Sequence, residues 1–408
     1  MSSDRRQTLL QIFQSALAAV NGRECVRDYF KQHPVSAPVY LLSIGKAACA
    51  MAQGAHDVLE ARIVDALVIT KHDYAEALPW PVCEAGHPLP DERSLAAGQA
   101  LLDFAARIPP DASVLVLLSG GASALVEVLP QGVTLDTLRA LNEWLLASGL
   151  DIAAMNRMRK RLSCIKGGQL AKLLSPRPVL CLAISDVPGD DPRVIGSGPL
   201  VTDNALLTAC DTTGLPPVVV EALRYSLPAL SAEDACFRNV QFKIIARLDD
   251  AKHAAAEAAR QLGYRVTLHP EFIDGDALAA GAQLAQALLA APAGEIQVWG
   301  GETTLVLPPH PGRGGRNQSL ALGAARVLAG KENAWFLSIG TDGSDGPTLD
   351  AGALVDGGTI ARGEIDGQSA SQALAAADAG TFLEASGDLI QTGPTGTNVM
   401  DLMLGLRA

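Results

Sequence analysis

Aromatic residues make up only 4% of this 408-residue chain, although hydrophobic residues reach 48%. The interior must therefore be aliphatic, and with charged residues at 19% the chain is too apolar for disorder. Positive charge is also scarce: 32 Lys and Arg face 44 Asp and Glu, a formal net charge of -12. That balance argues against general binding to nucleic acid or to anionic membranes, which needs a basic surface. No apolar run approaches the ~18 residues of a membrane span. The opening Met1-Ser-Ser-Asp-Arg-Arg6 lacks the apolar core of a secretory signal, so a soluble, cytoplasmic protein is expected. The 7 cysteines contain no C-x-x-C pair and none follows Cys236, which excludes a zinc signature and a disulfide framework. A Walker A loop, a G-x-G-x-x-G fingerprint and an H-E-x-x-H pair are missing as well. The commonest nucleotide and zinc-hydrolase motifs are thus excluded.

Glycine, by contrast, is plentiful, with 39 residues, and its position is informative. Five apolar runs each stop at a glycine-rich or charged turn: Tyr40–Lys46, Val114–Gly121, Val179–Asp186, Ile296–Glu302 and Trp335–Asp342. Short continuous apolar runs read as strands buried on both faces, as in parallel sheets. In open α/β sheets, ligands bind just beyond the carboxyl ends of such strands. Helical patterns alternate with the strands, so the expected class is α/β with mostly parallel sheets. Helices are expected over Asp91–Arg107, Leu135–Ser148 and Ile152–Leu174, among others. The length suggests two domains. Prolines and acidic residues between Asp211 and Val240 place the boundary near Ala235, giving 1–235 and 236–408. A tail from about Thr392 that returns to the first domain is the alternative.

The turns carry the candidate chemistry. Ser43-Ile-Gly-Lys46 ends a strand and opens a helix, where free N–H groups and a lysine favour an anion. Ser119-Gly120-Gly121-Ala-Ser123 has the same layout, and its small residues suit a phosphate nest. Asn156-Arg-Met-Arg-Lys-Arg161 concentrates positive charge, and Arg159 and Lys166 would share one face of a continuous helix. The bland alternative is a solvated charged face. Asp186 stands at a strand tip, as a metal ligand or general base would. Gly300-Gly-Glu302 and the flexible, twice-cationic Gly312-Arg-Gly-Gly-Arg316-Asn317 are expected to act together, since arginine reads phosphate through a bidentate fork. Asp342 and Asp345 in Gly340–Pro347 suit Mg²⁺ held by carboxylates and phosphate oxygens, or simply an Asp- and Gly-rich turn. His87 sits in a proline-stiffened loop, where a structural role is the stronger expectation.

Taken in order, Gly45-Lys46, Gly86–Asp91, Ser119–Ala124, Lys166–Ala171, Ser185–Asp190, Gly300–Thr303, Gly314–Gln318, Thr341–Gly346 and Thr392–Val399 resemble the class II glycerate 2-kinase family with its MOFRL carboxyl-terminal domain. The resemblance implies two α/β domains, the first Rossmann-like, with the active site in the cleft between them. It implies ATP and Mg²⁺ as cofactors, D-glycerate as substrate and 2-phosphoglycerate as product. Carried across by motif, Lys46, Asp186 and Arg316 would be catalytic. Ser119, Gly120, Gly121, Ser123, Arg159, Lys166, Glu302 and Asn317 would bind substrate or phosphate, and Asp342 and Asp345 would hold the metal. Some members carry the label hydroxypyruvate reductase, so NAD(P)H-dependent reduction is the rival activity. A non-catalytic sugar-phosphate sensor is a weaker one. A homodimer is plausible.

Overall fold

A computed structural model describes residues 2–150 and 152–408. The chain forms two compact units: one is Gly22–Ile245, and the other joins Met1–Asn21 to Ala246–Ala408. This departs from the expected organisation in three ways. The discontinuity lies at the amino terminus, because the helix Ser2–Ala19 packs on the helix Leu248–Gln261 and belongs with the second half of the chain. The tail beyond Thr392 stays in that same unit rather than returning to the other. The switch of units also falls later than Ala235, since a further strand joins the first sheet before the chain leaves it.

The inserted unit, Gly22–Ile245, carries β1 (Val39–Ile44), β2 (Ile63–Lys71), β3 (Val82–Ala85), β4 (Ser113–Leu118), β5 (Val179–Ile184) and β6 (Val240–Ala246). They form an all-parallel sheet in the order β3-β2-β1-β4-β5-β6. All but one residue of each of β1, β4 and β5 is buried, on both faces, which is why these strands read as near-unbroken apolar runs. In this order the chain reverses its direction of growth between β1 and β4. That is the switch point at which open α/β sheets bind ligands.

The host unit carries β7 (Arg265–Ile273), β8 (Glu295–Gly301), β9 (Ala334–Gly340), β10 (Gly352–Asp356), β11 (Leu389–Ile390) and β12 (Asp401–Arg407), in the order β11-β10-β9-β12-β8-β7. Here the expectation of a mostly parallel sheet fails. Only β7 and β8 pair in parallel, while β12 lies antiparallel between β8 and β9. Between its charged ends, Leu402–Leu406 of β12 is apolar and buried on both faces, so periodicity alone cannot reveal the strand's direction. Alanine-rich helices, Ala277–Ala290 and Arg316–Leu328, cover the sheet around Trp299, Phe336 and Phe382. Among the described residues no helix is long and apolar enough to cross a membrane.

Candidate active site

At the carboxyl edge of the first sheet, the turns after β1, β4 and β5 stand side by side, because β4 pairs with both neighbours. The first two turns are locked together. The Lys46 N–H donates to the Gly120 carbonyl at 2.9 Å, and the Ala47 N–H donates to Ser119 Oγ at 3.0 Å. Gly45 adopts φ +131°, and a Cβ there would lie 2.1 Å from Ser119 Oγ, so only glycine permits the approach. The side chains of Lys46 and His87 both reach Gly121, each 3.2 Å from where a Cβ would stand. Ser123 Oγ is hydrogen-bonded to Ser197 Oγ at 2.8 Å. Asp186, half-buried, follows β5 in the adjacent turn.

Several expected contributors take other roles. Ser119 is fully buried and its hydroxyl serves the Ala47 amide, so it braces the turn rather than presenting an oxygen. The helix after Gly121 is a single turn, Ala122–Leu125. The continuous helix expected over Ile152–Leu174 is broken into Ile152–Arg161 and Gln169–Leu174, with Gly167 and Gly168 in left-handed conformations of φ +57° and +89° in the turn that opens the second. Arg159 and Lys166 therefore do not share a helix face. Lys166 instead pairs with Glu127, a fully buried acid that also accepts the Ser163 hydroxyl at 2.6 Å. Arg159 donates to two asparagine side chains, Asn142 at 2.8 Å and Asn156 at 3.3 Å.

The host unit presents a denser cluster of charge. Arg316 is the first residue of the helix Arg316–Leu328. Its guanidinium forks onto Asp401, with Nε to Oδ2 at 2.6 Å and Nη2 to Oδ1 at 3.1 Å, while Nη1 meets Glu302 at 2.7 Å. Asp401 is 1% exposed, whereas Glu302 is 37% exposed, so one acid is a fixed anchor and the other faces solvent. Burial alone would weaken the Arg316 charge, but the two carboxylates outweigh it and raise the pKa. The Gly312–Gly315 loop is held rather than loose: the Arg313 N–H donates to Asp378 at 2.7 Å, and its guanidinium pairs with Asp350 and Glu384.

The two proposed metal acids differ in what they do. Both oxygens of Asp345 accept helix N–H groups, from Asn317 at 3.0 Å and Gln318 at 2.8 Å. Asp345 is therefore a buried cap on the Arg316 helix, and as a metal ligand it does not fit. Burial, aided by the nearby Asp401 charge, pushes its carboxyl up to about 7 against the pull of the two amides. Asn317 is buried, and its side-chain carbonyl accepts the Ser338 hydroxyl at 2.7 Å, so it supports the sheet. Asp342 Oδ1 accepts both the N–H and the hydroxyl of Ser344, which shapes the turn. Among the described residues no three His, Cys, Asp or Glu side chains gather as a metal cage. Mg²⁺ bound with phosphate needs only one or two carboxylates, so the lack of such a cage does not decide the role of Asp342.

Asp401 has no counterpart among the residues expected from sequence. The signal for it was faint: an acid at the head of an apolar run in the tail. Its placement depends on Met400, whose φ of +68° is rare for a side chain of that size and whose carbonyl accepts the Thr341 N–H at 3.0 Å.

Glycine-built turns at a Rossmann switch point in one unit, and an arginine at a helix amino terminus in the other, mark a two-unit α/β protein. Comparison with known proteins narrows this class. A family model described as a domain of unknown function, DUF4147, matches residues 8–214, and the MOFRL family model matches residues 295–401. A D-glycerate 2-kinase of Thermotoga maritima is 36% identical, with 90% of each chain covered. A provisionally named hydroxypyruvate reductase of Agrobacterium vitis is 35% identical over 97% of this chain and 93% of its own. The crystal structure of a glycerate kinase from Thermotoga maritima superposes with a TM-score of 0.86 at 33% identity, covering 100% of both chains. The chain belongs to the class II glycerate kinase family.

Proposed function

We propose that the protein transfers the terminal phosphoryl group of ATP to the 2-hydroxyl of D-glycerate, giving 2-phosphoglycerate and ADP. Arg316 carries this assignment. It is a solvent-reaching guanidinium fixed at a helix amino terminus by a buried acid, within the MOFRL match. Phosphoryl transfer depends on positioning and charge neutralisation more than on covalent chemistry by the protein. In this scheme Arg316 neutralises the charge of the transferring phosphoryl group, and Lys46 is the cation that the first sheet offers to an anionic ligand. Gly120 and Gly121 let the ligand approach the backbone, and Ser123 offers a hydroxyl beside them. Asp186 accepts the proton of the 2-hydroxyl as that oxygen bonds to phosphorus and ADP departs with the bridging oxygen. Glu302 is the acid that ligand binding would displace from Arg316. Mg²⁺, held by Asp342 and the nucleotide phosphates, would neutralise phosphate charge when bound. The name of the Thermotoga D-glycerate 2-kinase supports transfer to the 2-position, that of the solved Thermotoga structure supports glycerate phosphorylation, and we infer that a soluble, cytoplasmic enzyme carries it out.

Phosphorus NMR of the purified protein with D-glycerate, ATP and Mg²⁺ tests the reading. A 2-phosphoglycerate signal rising with ADP is expected. A 3-phosphoglycerate signal would overturn the regiochemistry, and no transfer would overturn the kinase. The relatives named after hydroxypyruvate reduction supply the second reading. The chain's lack of a dinucleotide fingerprint weighs against it. Oxidation of NADH by hydroxypyruvate with this protein alone would favour it.

A further inference from the structure

Arg159 is unusual among the partly buried arginines for what surrounds it. Arg313, Arg316 and Arg362 each meet at least one buried carboxylate. Arg177 and Arg407 donate to backbone carbonyls. Among the described residues Arg159 meets neither kind of partner. Nε donates to Asn142 Oδ1 and Nη1 to Asn156 Oδ1, and both acceptors are neutral. Burial consequently lowers its pKa with no compensating acid.

The two amides matter for a second reason. An asparagine side chain has one acceptor oxygen and one NH₂ donor group. Each oxygen already accepts one guanidinium N–H, which turns the two amides so that their NH₂ groups stand away from the arginine. Arg159 itself has five N–H donors, of which two are used here. The trio therefore keeps three guanidinium N–H groups and two amide NH₂ groups as donors around a positive charge. Asn142 is 6% exposed, on the helix Leu135–Ala147, and Arg159 is half-buried on Ile152–Arg161. The helix pair packs on its own small core, Leu138, Leu141, Leu145, Met158 and Leu162, which fixes the geometry of the trio. Position adds the last point. Lys160, next in sequence, donates to the Arg193 carbonyl at 2.8 Å, at the start of the loop whose Ser197 bonds to Ser123. The trio is thus tied to the carboxyl edge of the first sheet.

We propose that Arg159, Asn142 and Asn156 form a subsite for the carboxylate of a small hydroxy acid. A planar guanidinium with flanking amide donors matches the two oxygens of a carboxylate, and the missing acid partner is the one the ligand brings. The proposal rests on the kinase reading for the identity of the acid, D-glycerate, but its test does not depend on turnover.

Calorimetric titration of the intact protein with D-glycerate, without nucleotide, measures the subsite directly. R159M should weaken binding at least tenfold and raise KM for D-glycerate similarly, while affinity for ADP is unchanged. N142D keeps the arginine and supplies an internal carboxylate. It should retain the wild-type melting temperature or exceed it, yet lose D-glycerate binding. Unchanged D-glycerate affinity in a folded R159M or N142D protein overturns the subsite while leaving the kinase intact. Binding that depends on Arg159 in a protein that transfers no phosphoryl group upholds the subsite and removes the kinase. Wild-type protein that does not bind D-glycerate at all overturns the assignment of this acid.

Discussion

The two sheet edges that carry the candidate residues are built on opposite principles. At the edge of the first sheet, recognition is made from backbone: Gly45, Gly120 and Gly121 interlock, Ser119 is spent on an amide, and Lys46 supplies the nearby positive charge. At the edge of the second, charges are assembled before any ligand arrives: Arg316 already holds Asp401 and Glu302, and Asp345 already caps its helix. A backbone nest works by shape and tolerates no added atom. A preassembled ion cluster works by balance, and fails when one charge is removed and its partner is left buried.

The largest effect should come from breaking that balance. R316A removes the proposed phosphoryl contact and should lower kcat on the order of 10³-fold. It also strands Asp401, which is 1% exposed, at a cost of about 3–5 kcal/mol in stability. The double variant R316A/D401N separates the two effects: denaturant unfolding should show much of the stability restored, while phosphoryl transfer stays low. Recovery of activity in the double variant would remove Arg316 from the chemistry. On the backbone-built edge the corresponding break is G45A. The added methyl would stand 2.1 Å from Ser119 Oγ in a conformation of φ +131°. We expect a loss of about 3 kcal/mol. A loss below 1 kcal/mol by the same measurement would mean the clasp is looser than described.

The contrast also explains what could be read from the sequence. The first sheet was legible because parallel, doubly buried strands are continuous apolar runs that end where ligands bind, and Lys46, Gly121 and Asp186 lie at those ends. The second sheet was only half legible. β8 and β9 have the same signature, but β12 enters antiparallel from the far end of the chain, and pairing direction leaves no mark on composition. Individual acids and bases were harder still. Asp345 and Asp342 look alike in Gly340–Pro347, yet one is a helix cap and the other a turn residue, because the partners come from distant sequence or from a neighbouring serine. Lys166 and Arg159 looked like one basic face, until two left-handed glycines turned Lys166 onto Glu127 and left Arg159 with amides.

Asp345 offers a finer test of the charge-built edge, read per pH unit. Its folded pKa of about 7 lies above the ordinary carboxylate value of 3.8, so between these values the folded protein holds a proton that the unfolded chain has released. This group's contribution to stability is therefore largest at low pH, falls by about 1.4 kcal/mol per unit as pH rises through that window, and levels off above 7. D345N imitates the protonated form. Unfolding followed at pH 5, 6 and 7 should show a wild-type slope more negative than that of D345N, with the two parallel above pH 7.5. Equal slopes throughout would mean that the helix amides hold the carboxylate ionised in spite of burial.

The smallest effect is a control that lies on neither edge. Glu60, exposed, closes the helix Ala48–Leu59 with φ 47° and ψ -122°, a conformation that glycine reaches without strain and other residues do not. Gly45 and Glu60 thus flank one helix, both at positive φ, and Gly45 is the one pressed against the Ser119 turn. E60G should relieve the strain, raise stability by about 1 kcal/mol and leave phosphoryl transfer unchanged. If it lowered activity, the backbone of this helix would matter to the site at both ends, and the precision ascribed to the Gly45–Ser119 contact would belong to the helix as a whole.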